Sequence, residues 1–178
     1  IRAVLVLILS TSVLVGCATA PSESNPSIEA IQDIRSKLGL PDLPVEFVET
    51  TSMVNSPHGN LSVALYTDSA GRKYYVEPET QQVVEIDARA ILASIASDKS
   101  ALSSDELREK AKAMLTATLP DFEASEAGLV YEEGDKGENY FFTWRNEAQM
   151  GIMNYPFVQI GLHVSGELFA YYNTLSLK

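Results

Sequence analysis

Two stretches of this chain follow one plan, an amphipathic helix and then alternating strands, and that repetition restricts the fold more than any single motif. In the first stretch Ile28, Ile31, Ile34 and Leu38 recur at helical spacing. Ser27 is placed to cap the start, and Gly39 stands at the position just past a helix end. Pro41 and Pro44 force an extended connection. Residues 45–54 read as a strand. Leu61, Val63 and Leu65 then alternate with small or polar residues, Asp68-Ser69-Ala70-Gly71 is a turn signal, and Tyr74 and Val76 share a face of the returning strand. Pro78-Glu79-Thr80-Gln81 is a second turn before Val83-Val84-Glu85-Ile86, after which Asp87 can cap a helix over residues 88–96.

The second stretch opens on a capping box, Ser103 followed three residues later by Glu106. Leu107, Ala111, Met114 and Leu115 form the apolar stripe of a helix that stops near Pro120. Strands are predicted at 129–132, 140–146, 156–164 and 167–172, with turns over 133–138 and at Ser165-Gly166 and a longer connection over 147–154. The strand-turn-strand segment 75–86 has the same plan as 161–171. The expected fold is therefore α+β: helices packed on curled antiparallel sheets, in two degenerate helix-plus-sheet repeats over residues 28–98 and 99–178. Each repeat alone has a small core, so the halves are expected to pack on each other.

Ahead of the first repeat lies an apolar run over residues 3–15 that ends in Leu14-Val15-Gly16-Cys17. It is shorter than the ~20 residues a bilayer-spanning helix needs, and has the length of a signal-peptide core. Arg2 precedes it, and the chain opens at Ile1 rather than Met, so the precursor's true N-terminus is expected upstream. The pattern resembles a bacterial lipoprotein signal peptide with its lipobox. That resemblance implies removal of residues 1–16, acylation of Cys17 and membrane anchoring facing the periplasm or exterior. The alternative is a short buried helix with a packed free cysteine. Such a helix would sit oddly before the polar, proline-containing residues 18–27, which read as a tether. Cys17 is the only cysteine, so intrachain disulfides and cysteine-rich metal sites are excluded, and once lipidated it is no catalytic thiol.

The formal net charge is −11. That balance argues against nucleic acid, which needs clustered Lys and Arg, and against docking on anionic headgroups. Solubility explains it most simply; attraction to a cationic partner or to divalent cations is the sharper reading.

Chemistry is sparse. No phosphate-cradling glycine loop, His-Glu-x-x-His or Gly-x-Ser-x-Gly is present, and no cofactor or metal is expected. Of the two histidines, His58 lies among turn formers, and His163 alternates with Val158, Ile160 and Leu162, which places it on the opposite strand face with Gln159. The acidic run Glu132-Glu133-Gly134-Asp135 lacks the alternating ligands of a calcium loop and reads as a solvated turn. The aromatics say more. Tyr140, Phe142 and Trp144 share one strand face, Phe141, Thr143 and Arg145 the other, and Phe169 and Tyr171 are expected to share a face with Tyr172 opposite. One face must be core against the second helix. The other is either a binding surface or is covered by the first repeat. Tyr140, Trp144, Arg145 and His163 are the candidate contact residues.

The segment Val76-Glu77-Pro78-Glu79-Thr80-Gln81-Gln82-Val83 resembles the Val-Asp-x-x-Thr-Gly-x-hydrophobic hairpin of PepSY and YcdB/YcdC-type domains, with Glu for Asp and Gln81 for the turn glycine. Val164-Ser165-Gly166-Glu167-Leu168 keeps the glycine without the Asp. The resemblance covers about residues 45–87 and 103–173. It implies secreted or membrane-attached accessory domains that bind or inhibit peptidases, and it carries over no catalytic residue. The expected function is thus a tethered, non-catalytic binding or inhibitory module acting on an envelope protein, peptide or peptidase. Two alternatives stay open: a structural envelope lipoprotein with no discrete ligand, and a hydrolase using His58 or His163.

Overall fold

The computed structural model describes residues 25–57, 59–94, 100–149, 154–175 and 177. Cys17, the signal and most of the tether, and His58 lie outside the described residues. Each half is a helix and then a four-stranded meander. The first comprises α1 (Pro26–Leu38), β1 (Val45–Ser56), β2 (Gly59–Asp68), β3 (Lys73–Glu77) and β4 (Gln82–Asp87). The second comprises α2 (Ser104–Thr118), the short α3 (Phe122–Ser125), β5 (Val130–Lys136), β6 (Asn139–Arg145), β7 (Phe157–His163) and β8 (Leu168–Asn173). The class is α+β. The two meanders are not separate sheets: β4 pairs antiparallel with β8, giving one eight-stranded sheet in the order β1-β2-β3-β4-β8-β7-β6-β5. The last strand of each half would otherwise be an open edge, and pairing them removes both.

The helices lie on one side of this sheet. A single apolar core joins Ile31, Ile34 and Leu38 of α1 to Leu107, Ala111 and Leu115 of α2, over Tyr74, Ile86, Phe142, Ile160 and Tyr171 from both meanders. The halves therefore share one core. Tyr171 is so completely enclosed that burial pushes its phenol up to about 12.

Local sequence explains most element ends, with corrections. The α1 cap is Asn25, not Ser27: the Asn25 side chain accepts from the Ser27 amide at 3.0 Å, and Pro26 occupies the first turn. At the other end Leu40 N–H bonds to Arg35 C=O and Gly39 N–H to Ser36 C=O, a Schellman closure. The Ser103–Glu106 capping box is present in both directions. Asp87 accepts from the Arg89 amide, but it leads into the 3-10 turn Arg89–Ser94 rather than an α-helix. β5 runs on to Lys136, so the turn expected over 133–138 shrinks to Gly137 and Glu138. The Ser165-Gly166 turn has three loop residues: His163 N–H bonds to Glu167 C=O and Gly166 sits at φ 84°, a conformation that a side chain resists.

The first half is locked by a buried carboxylate. Asp68 accepts from the amides of Ala70 and Arg72, from the Arg72 guanidinium at 3.3 Å and from the Tyr74 hydroxyl at 2.9 Å. Burial alone would raise its pKa, but these donors together hold it below the ordinary aspartate value.

Candidate functional site

The sheet face away from the helices divides into a closed part and an open part. In the first half Met53, Val63 and Val84 are buried there in a small apolar cluster ringed by Leu61, Tyr75, Tyr172 and Leu177. In the second half the same face opens into a hollow of about 770 Å³, within the ordinary size range of ligand sites. The first half does not lie over it, because the halves sit side by side in one sheet.

Strand alternation positions the walls. β6 presents Phe141, Thr143 and Arg145, β7 presents Phe157 and Gln159, β5 presents Glu132, Gly134 and Lys136, and Asn154 and Tyr155 close one end. The Phe141 ring is braced from the side by Phe169, edge to face at 5.1 Å. That contact exists because of a register shift in β8 between the Gly161 and Leu162 pairings. The extra residue turns Phe169 onto the open face, which corrects the expectation that it shares a face with Tyr171. Gly161 makes room for the ring: a Cβ there would lie 2.8 Å from it.

The polar groups are mostly engaged. The Arg145 guanidinium bonds to Glu132 and, at 3.2 Å, to Glu147, while its buried Nε has no partner among the described residues. Gln159 donates to the Thr143 hydroxyl at 2.7 Å. The Lys136 ammonium stands 5.8 Å from the centre of the Phe141 ring, a cation–π contact. Toward the middle of the sheet, Glu85 is paired across strands with Tyr75 and Tyr172. Burial pushes the Glu85 carboxyl above the usual carboxylate range, against the lowering effect of its hydrogen bond with Tyr172.

Of the four contact residues expected from sequence, the structure brings only Arg145 to the hollow. Trp144 is 1% exposed and packs in the core, edge to face on Phe122 at 5.4 Å. Tyr140 lies half-buried on the same helix-facing side, against Phe142. Alternation forces this: residues 140, 142 and 144 must share the face that α2 covers, and both aromatics are thereby removed from the open face. His163 is on the open face but outside the hollow, at the end of β7 where the turn to β8 begins. Its Nδ1 accepts from the Ser165 amide at 3.2 Å and lies 2.6 Å from the Ser165 hydroxyl, which itself bonds to Glu167. Its Nε2 is 3.6 Å from Glu138, longer than a hydrogen bond. Sequence reasoning misses Phe157 and Tyr155 as wall residues; the alternation that places Gln159 on the open face places Phe157 beside it.

Among the described residues no group of three or more His, Cys, Asp or Glu is arranged to hold a metal ion, and no helix is long and apolar enough to cross a membrane. Comparison of the chain with protein-family models, with curated proteins and with solved structures returns no match.

Proposed function

We propose that this chain is a non-catalytic binding module, built from two degenerate PepSY-like repeats and held to a bacterial envelope membrane through lipid on Cys17. It engages an envelope protein, peptide or peptidase through the open face of the second half. The observation that carries this reading is the aromatic hollow of about 770 Å³ on a sheet whose other face is spent on the core. Phe141 and Phe157 offer apolar area, while Arg145, Gln159 and Lys136 offer directional contacts at its walls, the mix that binding sites use. The anchor rests on the apolar run and Leu14-Val15-Gly16-Cys17. A single acyl chain holds a membrane only marginally, and two or more hold it stably.

A photo-crosslinking residue at Thr143, in the hollow, is compared with one at Thr116, exposed on α2. In cells, Thr143 should give a discrete adduct that Phe141→Arg abolishes, and Thr116 should not. Equal labelling from both positions, or none from Thr143, refutes the site. Cys17→Ser should leave the protein unprocessed and unlabelled by radioactive palmitate; continued labelling refutes the anchor.

A further inference from the structure

Four large apolar residues are strongly exposed among the described residues: Phe47 and Val48 on β1, Val130 and Tyr131 on β5. These strands are the two ends of the sheet. An end strand presents unpaired backbone groups and is a template for a further strand unless something blunts it. β1 is blunted by register shifts between Phe47 and Glu49 and between Met53 and Ser56. β5 has no such irregularity: it pairs with β6 residue for residue from Val130↔Arg145 to Lys136↔Asn139, with no shift and no proline, and no other described strand lies beside it. Its guard is charge, from Glu132, Glu133, Asp135 and Lys136, which disfavours a strand of like charge and admits one of complementary charge.

β5 is also a wall of the hollow. Glu132, Gly134 and Lys136 face the hollow, while Tyr131, Glu133 and Asp135 alternate toward the helix side. Gly134 leaves a gap in that wall: a Cβ there would meet only the Phe141 Cβ, at 3.8 Å. The rim is acidic. Glu132, Glu133 and Asp135 outnumber Lys136, and Glu138 comes next in the turn. The hydroxyls of Ser104 and, at 2.8 Å, Tyr131 hold the Glu133 carboxylate at the edge.

We infer that β5 takes an extended, basic segment of a partner protein as an added strand, with an apolar side chain passing over Gly134 onto Phe141. This rests on the reading of the hollow as a binding site and names what enters it. A second copy of the chain is the poorer occupant. Its own β5 would set Glu and Asp against Glu and Asp, and its β1 brings Glu46 and Glu49; like charges directly opposite across strands are destabilising. A segment alternating Lys or Arg with apolar residues puts its cations beside Glu133 and Asp135 and its apolar side chains beside Glu132 and Gly134.

The probe is a blocked seven-residue peptide, the length of β5, alternating lysine with apolar residues and carrying phenylalanine on each side of the central lysine. Binding to the full chain in detergent is measured by calorimetry, with amide hydrogen exchange as the structural readout. The peptide should bind, protect β5 amides and weaken with salt. Methylating alternate peptide nitrogens on the bonding edge should weaken it about tenfold or more, since each methyl removes a backbone donor to β5. Glu133→Lys with Asp135→Lys should weaken it similarly, and a version with glutamate for lysine should not bind. If the methylated peptide binds as well as the parent and Phe141→Arg abolishes both, the hollow stands and the edge inference falls. If only the glutamate version binds, or none does, the basic-segment inference falls, while crosslinking from Thr143 still judges the hollow separately. A dimer whose β5 amides are protected and which the peptide does not dissociate assigns the edge to a second copy and overturns the inference.

Discussion

Gly161→Ala should destabilise the protein, and most of the damage should trace to one neighbour. A Cβ at 161 would lie 2.8 and 2.9 Å from two atoms of the Phe169 ring and 2.9 Å from the Ala170 Cβ. Carbon pairs prefer about 3.5–4.0 Å. The ring cannot simply swing away, because it is 2% exposed and wedged edge to face on Phe141. Overpacking of this kind costs about 1–3 kcal/mol. Phe169→Ala alone removes a buried ring and should cost about 3–5 kcal/mol. In the double variant the ring clash is gone and only the Ala170 contact remains, so the total should fall short of the sum by about 1 kcal/mol or more. Urea titration followed by circular dichroism measures all three, with equal m-values confirming that the unfolding transition is comparable. A neutral Gly161→Ala, or strictly additive costs, would refute the argument. It would mean that Phe169 is loosely held and does not set the position of Phe141 in the hollow.

Three further outcomes are expected. Asp68→Asn should cost about 3 kcal/mol near neutral pH, because it leaves the buried Arg72 without its countercharge. The native Asp68 pKa is depressed, so this stabilisation is present above the unfolded value of 3.8 and is lost as pH falls through the folded one; the variant's acid-denaturation limb should be correspondingly flatter. Trp144→Ala should cost about 3–5 kcal/mol in thermal or urea unfolding, as befits a core ring packed on Phe122 and Tyr131; a cost below about 1 kcal/mol would mean that the ring is not part of the core. Purified protein should hydrolyse no ester or peptide panel, and Ser165→Ala should shift stability by less than about 1.5 kcal/mol. Turnover that vanishes in Ser165→Ala or His163→Ala would replace the binding reading with a hydrolase.

Short-range sequence signals were enough for the local plan. The Ser103–Glu106 box, Gly39 after α1 and the alternation through Leu61, Val63 and Leu65 are readable because each depends only on neighbours a few residues away. Periodicity also separated Phe141, Thr143 and Arg145 from Tyr140, Phe142 and Trp144. It did not by itself say which set the helices would cover, since Phe141 puts an aromatic ring on the second face as well. That choice was made by α2 laying Leu107, Ala111 and Leu115 against Phe142, and it sent Trp144 inward and left Arg145 at the hollow. Where turns fell was decided at longer range as well: Glu133 to Lys136 looks like a loop in isolation, yet β6 supplies a partner for every one of those residues. The pairing of β4 with β8 and the bulge that turns Phe169 onto the open face join residues distant in sequence or break the simple alternation. Neither leaves a local signature, because a sheet's register is set by what the whole face must bury.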